Sequence, residues 1–149
     1  MKTLLLVVSI VLLTTACERR KHATPPPNVP NVAGFWEGQG TDDTVGYFKI
    51  TMTLEQSGDV AFGTYRTLSA FAETSGKVRF ELLAVNGGEN IKDIVMERTA
   101  WSANACAATL TLRRPVATNG SSIGFYYSGK DCAQSDYNGG MTIAKSVQL

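Results

Sequence analysis

Histidine is almost missing from this chain. The single one among 149 residues, His22, falls in a proline-rich stretch ahead of anything that patterns as a folded domain. A His-centred triad and an imidazole metal site are thereby excluded from the domain. Cysteine is scarce, at Cys17, Cys106 and Cys132, with no Cys-x-x-Cys pair. Gly-x-Ser-x-Gly and a Gly-rich phosphate loop are also missing, and no calcium-loop spacing follows Asp42-Asp43. Charge of one sign is not in excess: 14 Lys and Arg stand against 13 Asp and Glu, for a net +1. No overall field therefore favours nucleic acid as a partner. No apolar run reaches membrane-spanning length, since Leu4 to Leu13 is too short to cross a bilayer. An enzyme would have to work with carboxylates and tyrosines alone. We therefore expect no enzymatic activity, no metal and no cofactor.

What is present begins with an export signal. Met1-Lys2, the apolar run from Leu4 and the small residues Thr14-Thr15-Ala16 follow the secretory plan. Leu13 to Cys17 resembles the lipobox of bacterial lipoproteins. That resemblance implies cleavage after Ala16 and lipidation of Cys17 by palmitate-like chains. Each buried CH₂ would add roughly 0.8 kcal/mol to bilayer attachment. Glu18 after the cysteine resembles the sorting pattern of Gram-negative outer-membrane lipoproteins. The alternative is ordinary signal cleavage with a free Cys17. Residues 17–31 then form a tether, in which Pro25, Pro26, Pro27 and Pro30 impose extended geometry. Arg19, Arg20 and Lys21 either touch anionic headgroups or are simply solvated. The organisation expected is signal 1–16, tether 17–31 and domain 32–149.

The domain patterns with a period of two. In Tyr47 to Leu54, Phe48, Ile50, Met52 and Leu54 alternate with Lys49, Thr51 and Thr53. Ser57-Gly58-Asp59 is turn chemistry, and Val60 to Leu68 returns. Further strands are expected over Val32 to Gly40, Lys77 to Val85, Asn90 to Arg98, Cys106 to Arg114, Ser122 to Lys130 and Met141 to Val147. Turns are expected at Asn86-Gly87-Gly88, Thr118 to Ser121 and Asn138-Gly139-Gly140. About eight short strands without a helical segment predict an all-β fold. An antiparallel sandwich or an up-and-down barrel fits, and closure into a single barrel removes exposed edges. A hairpin centred on Asn119 brings Cys106 and Cys132 together, predicting a disulfide worth about 3.5 kcal/mol. A two-residue turn would offset these cysteines by one position, so a bulge or longer loop is needed.

Gly34-x-Trp36 near the domain start, with Gly63-Thr64-Tyr65 ending the hairpin, resembles the calycin architecture of lipocalins and avidins. The resemblance implies a small barrel in which Tyr65 contacts a ligand, and Trp36 in the first strand is expected to pack one end of the core. In plan the domain is also similar to exported bacterial inhibitors of lysozymes and metalloproteases. Phe48, Phe62, Phe80, Phe125 and Met52 read as core filling. Arg66 shares a face with Val60, Phe62 and Leu68, and Lys145 shares one with Ile143 and Val147. These charges either point inward and need a partner or ligand, or reach water at strand ends. Asp93 and Glu97 share a face with Ile91 and Val95, unless Ile94 and Met96 point inward instead. Trp101, in the loop Thr99 to Ala105, either caps the barrel or anchors a partner. Candidate ligand contacts are Tyr65, Arg66, Tyr127 and Trp101. The reading is an envelope lipoprotein whose barrel binds a small apolar or amphipathic ligand. The alternative is a protein-binding module that uses the loops Thr41 to Gly46 and Trp101 to Ala105.

Overall fold

The computed structural model describes residue 24 and residues 28–84, 88–99 and 106–146. The export signal, Cys17, Pro25, Pro26, Pro27 and Trp101 lie outside the described residues. Eight strands follow one another: β1 (Gly34–Asp42), β2 (Gly46–Ser57), β3 (Val60–Ser69), β4 (Glu73–Leu82), β5 (Ile91–Arg98), β6 (Ala108–Leu112), β7 (Ser122–Asp131) and β8 (Asp136–Ser146). Each pairs antiparallel with the next, and β8 returns to β1, closing an up-and-down barrel. There is no helix among the described residues. Closure pairs every strand on both sides, so no sheet edge is left exposed.

Turn parity decides which face of each strand looks inward. The β2–β3 hairpin turns at Gly58-Asp59, with Gly58 at φ 65°, and pairs Ser57 with Val60. Leu54 then sits opposite Gly63, and Met52 opposite Tyr65. Directly paired residues share a face. The apolar row of β2 therefore brings Ala61, Gly63 and Tyr65 inward and turns Phe62, Arg66 and Leu68 out. This corrects the expectation that Val60, Phe62 and Leu68 mark the inner face of β3, and that Phe62 fills the core: Phe62 is 40% exposed. In β5, Ile94 and Met96 are buried, so Glu97 and Asp93 face out.

Two connections differ from the sequence reading. Asn138-Gly139-Gly140 is strand, not turn, because β8 begins at Asp136 and pairs Gly139 with Asp42 and Gly140 with Thr41. A side chain at 139 would collide with the Tyr127 ring, so glycine suits a paired position here. β6 ends at Leu112, and the connection to β7 is longer than a tight hairpin. The expected realignment of the cysteines by a bulge or longer loop does not occur: Ala108 pairs with Asp131, so Cys106 and Cys132 stay one position out of step just beyond the ladder, where the Cys132 N–H donates to the Ala107 carbonyl. Cys106 and Cys132 are joined, with Cα atoms 5.2 Å apart.

The barrel interior is filled with side chains. Trp36, Phe48, Ile50, Met52, Phe80, Met96, Phe125, Tyr127 and Met141 are each at most 5% exposed. At one end, the tether end, residues 29–33 cross the barrel. Val32 is buried, its N–H donates to Gln56 Oε1 at 2.8 Å, and its carbonyl accepts from Trp36 Nε1 at 2.8 Å. The buried Asn90 amide closes the same end by a pair of bonds with the Thr118 backbone, at 2.6 and 2.7 Å. The opposite end carries the disulfide and the β1–β2, β3–β4 and β7–β8 connections.

Candidate functional site

A second set of polar groups enters the interior at the disulfide end. Met52, Tyr65, Gly76, Arg98, Ala108 and Asp131 follow one another across β2 to β7 through direct cross-strand pairs. Gly76 lacks a side chain, and the Tyr65 ring occupies that space. Arg98 Nη2 donates to the Cys106 carbonyl at 3.0 Å and Nη1 to the Tyr137 hydroxyl at 3.3 Å. Its guanidinium lies 5.0 Å from the Tyr137 ring centroid and 3.8 Å from Asp131 Oδ2. Tyr137 in turn donates to Asp131 at 3.1 Å. Burial raises the Asp131 carboxyl, but bonds from the Ser135 N–H, Tyr137 and the Ala133 N–H, with the Arg98 charge, outweigh it and hold the group low. Among the described residues, Arg98 Nε–H is buried and has no partner.

Tyr65 is 4% exposed, and no bond to its hydroxyl is made among the described residues. Burial pushes this hydroxyl up to about 12, against the pull of the Arg98 charge. Tyr127 donates to Asp42 Oδ2 at 2.8 Å, while Asp42 Oδ1 accepts from the backbone of Thr44 and Val45. Burial first, then the Asp42 bond and charge, raise the Tyr127 hydroxyl strongly. Both phenols stay protonated near neutral pH, so neither serves as a base. Asp42 is a turn-forming carboxylate that ties β1–β2 to β7.

The sequence-derived candidates therefore separate. Tyr65 and Tyr127 are both interior, at the same end. Arg66 is not: it lies on the outer wall and makes a two-pronged ion pair with Glu73, both contacts at 2.7 Å. The β2–β3 turn parity that put Phe62 outside put Arg66 there too. Lys145 reaches the rim of the tether end, where Nζ donates to the Asn31 carbonyl at 3.4 Å. Gly34 opens β1, and Trp36 is fully buried, as a packing residue at the tether end. Sequence reasoning missed Arg98, whose inward position follows from Ile94 and Met96 by strand alternation.

Among the described residues, three hollows of the outer wall bear on binding. One of ≈ 350 Å³ is an apolar lip between the β1–β2 and β3–β4 connections, lined by Val45, Tyr47, Leu68 and Phe71. Phe71 is 87% exposed and Leu68 54%. A second, of ≈ 620 Å³, lies between Phe62, Val95 and the stems of Lys77 and Arg79. A third, of ≈ 450 Å³, crosses β2, β1, β8 and β7 between Tyr47 and Tyr126. An apolar residue in a loop, as in Ser69-Ala70-Phe71-Ala72, was the available signal for the lip.

No protein-family model matches the chain, and no curated protein matches it. Among solved structures, the barrel is similar to EF1p2_mFAP2b, in a structure bound to DFHBI. The TM-score is 0.56 at 9% identity, covering 77% of this chain and 94% of that one. A redesigned beta barrel is also similar, with a TM-score of 0.49 at 14% identity, covering 78% and 92%. The first likeness shows the fold: a small closed antiparallel barrel, of the kind the calycin resemblance implies.

Proposed function

We propose that the protein is a non-catalytic binding module of the bacterial envelope, anchored by a lipidated Cys17 at the outer membrane, that engages a partner protein through the apolar lip. One observation carries this reading: the interior is occupied by the chain's own side chains, while Phe71, Leu68 and Tyr47 are exposed together at one end. Apolar residues clustered on a surface favour an interaction site, because burying them removes apolar area from water. The lip includes part of the Thr41 to Gly46 loop that sequence reasoning assigned to partner binding. Absence of histidine from the domain and the protonated state of Tyr65 and Tyr127 support a non-enzymatic role. The test combines Phe71→Ser with Leu68→Ser in the lipoprotein, purified from its own membranes. A stoichiometric partner bound by the wild type should be lost from the double variant, with the melting temperature unchanged. Retention of that partner by the variant refutes the lip. Cys17→Ser should move the protein from the membrane to the soluble envelope fraction.

A second reading, a small amphipathic ligand, is favoured by the Arg98 Nε–H and the Tyr65 hydroxyl, neither of which has a partner among the described residues. A barrel of this fold is bound to a small molecule, DFHBI, in the neighbouring structure. The fold is therefore compatible with such a role. Native mass spectrometry distinguishes the two: a small adduct lost on unfolding, and weakened by Tyr65→Phe, favours the ligand.

A further inference from the structure

The geometry points to a second binding site, for an uncharged oligosaccharide, in the outer trough between Tyr47 and Tyr126. Cross-strand pairing places Tyr47, Thr41, Gly140 and Tyr126 in one outer row over β2, β1, β8 and β7. The next row is Lys49, Gln39, Thr142 and Gly124. Neighbouring strands are about 4.8 Å apart, so the two tyrosines stand about 14 Å apart along the wall.

Both rings are held in place without belonging to the core. Tyr126 is 59% exposed and lies across Gly140, where a side chain would displace it. Tyr47 is 53% exposed, and its hydroxyl donates to Gln39 Oε1 at 3.0 Å, which tilts it over β1. Glycine at 124 and 140 keeps the floor low, and Gln39, Thr41 and Thr142 supply amide and hydroxyl groups. No charged residue lines the floor of the trough, although the exposed Lys49 ends its second row on β2 and the exposed Arg113 stands beyond Tyr126.

This combination matches the chemistry of a sugar chain. The C–H faces of pyranose rings stack on exposed aromatic rings, and their hydroxyls pair with neutral donors and acceptors. Fixed tyrosines cost little conformational entropy on binding. An apolar peptide would leave the Gln39 and Thr142 groups unpaired, and the cations Lys49 and Arg113 flank the trough rather than line it, so its floor offers an acidic group no ion pair. The site is separate from the lip, since it lies on the other side of Tyr47.

The test is calorimetric titration of the full-length lipoprotein in a detergent without a sugar headgroup. The probes are cellohexaose, chitohexaose and maltohexaose, with an oligogalacturonate as the charged comparison. At least one neutral probe should bind better than the charged one. Tyr126→Ala should weaken it by about tenfold or more. Gly124→Thr provides an independent variant: a Cβ at 124 comes only to 3.5 Å from Thr142 Oγ1, so the barrel accepts it while the floor is raised. It should weaken binding to a similar extent with an unchanged melting temperature, and Phe71→Ser should leave binding intact. Three outcomes overturn the inference: no neutral probe binds, both trough variants bind like the wild type, or the trough instead mediates a concentration-dependent dimer abolished by Gly124→Thr.

Discussion

Trp36 shows how one side chain can serve both the apolar and the polar accounts of the core. Its ring is fully buried, and its indole N–H reaches the Val32 carbonyl. Trp36→Ala removes that packing and leaves the carbonyl unpaired, so it should cost about 3–5 kcal/mol in urea unfolding. Tyr127 makes a different prediction. Its folded pKa, like that of Tyr65, is raised above the ordinary 10.0, mainly by burial. The unfolded chain therefore releases protons from these phenols first. Their contribution to stability is complete below pH 10, then falls as the pH rises through 10 towards the folded values. Chemical denaturation between pH 8 and 12 should show this loss, and Tyr127→Phe should make the decline shallower. A slope unchanged in Tyr127→Phe would remove this residue from the account. Arg66, by contrast, forms its ion pair in water, and Arg66→Ala should leave the melting temperature nearly unchanged.

At the scale of the strand, glycine does more than mark turns. Gly38, Gly63, Gly76 and Gly129 sit inside β1, β3, β4 and β7. A Cβ at these positions would strike the cross-strand carbonyls of Thr142, Thr53, Glu97 and Thr109 respectively. Glycine at such points lets a strand bend sharply enough to close a narrow barrel. Gly63→Ala and Gly129→Ala should each destabilise by about 1–3 kcal/mol, seen as a lower melting temperature. Gly124→Ala, on the unobstructed outer wall, should not. Equal effects at all three positions would show that strand propensity, rather than the barrel bend, sets the cost. The glycine content is readable in the sequence, but its use within strands is not. Only the neighbouring strand reveals the collision.

At the scale of the whole molecule, the Cys106–Cys132 bond closes the β6–β7 unit at the end opposite the tether. It also fixes the Cys106 carbonyl that accepts from Arg98. Replacing both cysteines by serine should cost about 3.5 kcal/mol, by restoring freedom to the unfolded chain. Equilibrium unfolding of the double variant against the oxidised wild type measures this, and near-identical midpoints would contradict it. The tether enters at one end and the apolar lip lies at the other. A barrel anchored through Cys17 would therefore direct the lip away from its attachment point.

Local pattern by itself determined the class of fold, most strand positions, the hairpin at Gly58-Asp59 and the cysteine pair. Each depends on a period of two or on turn chemistry within a few residues. It marked Val60, Phe62 and Leu68 as the inner face of β3, which is the wrong one, and left both faces of β5 open, because Asp93-Ile94-Val95 carries apolar residues on either side. Tertiary structure decided both strands, since pairing to β2 and β4 imposes the partner's parity on the whole strand. Closure then decided the rest. It placed Arg98 beside Tyr65, turned Arg66 outward, filled the interior and assembled the Tyr47–Tyr126 trough from four strands. Those positions depend on residues far apart in the chain, brought together only when β8 pairs with β1.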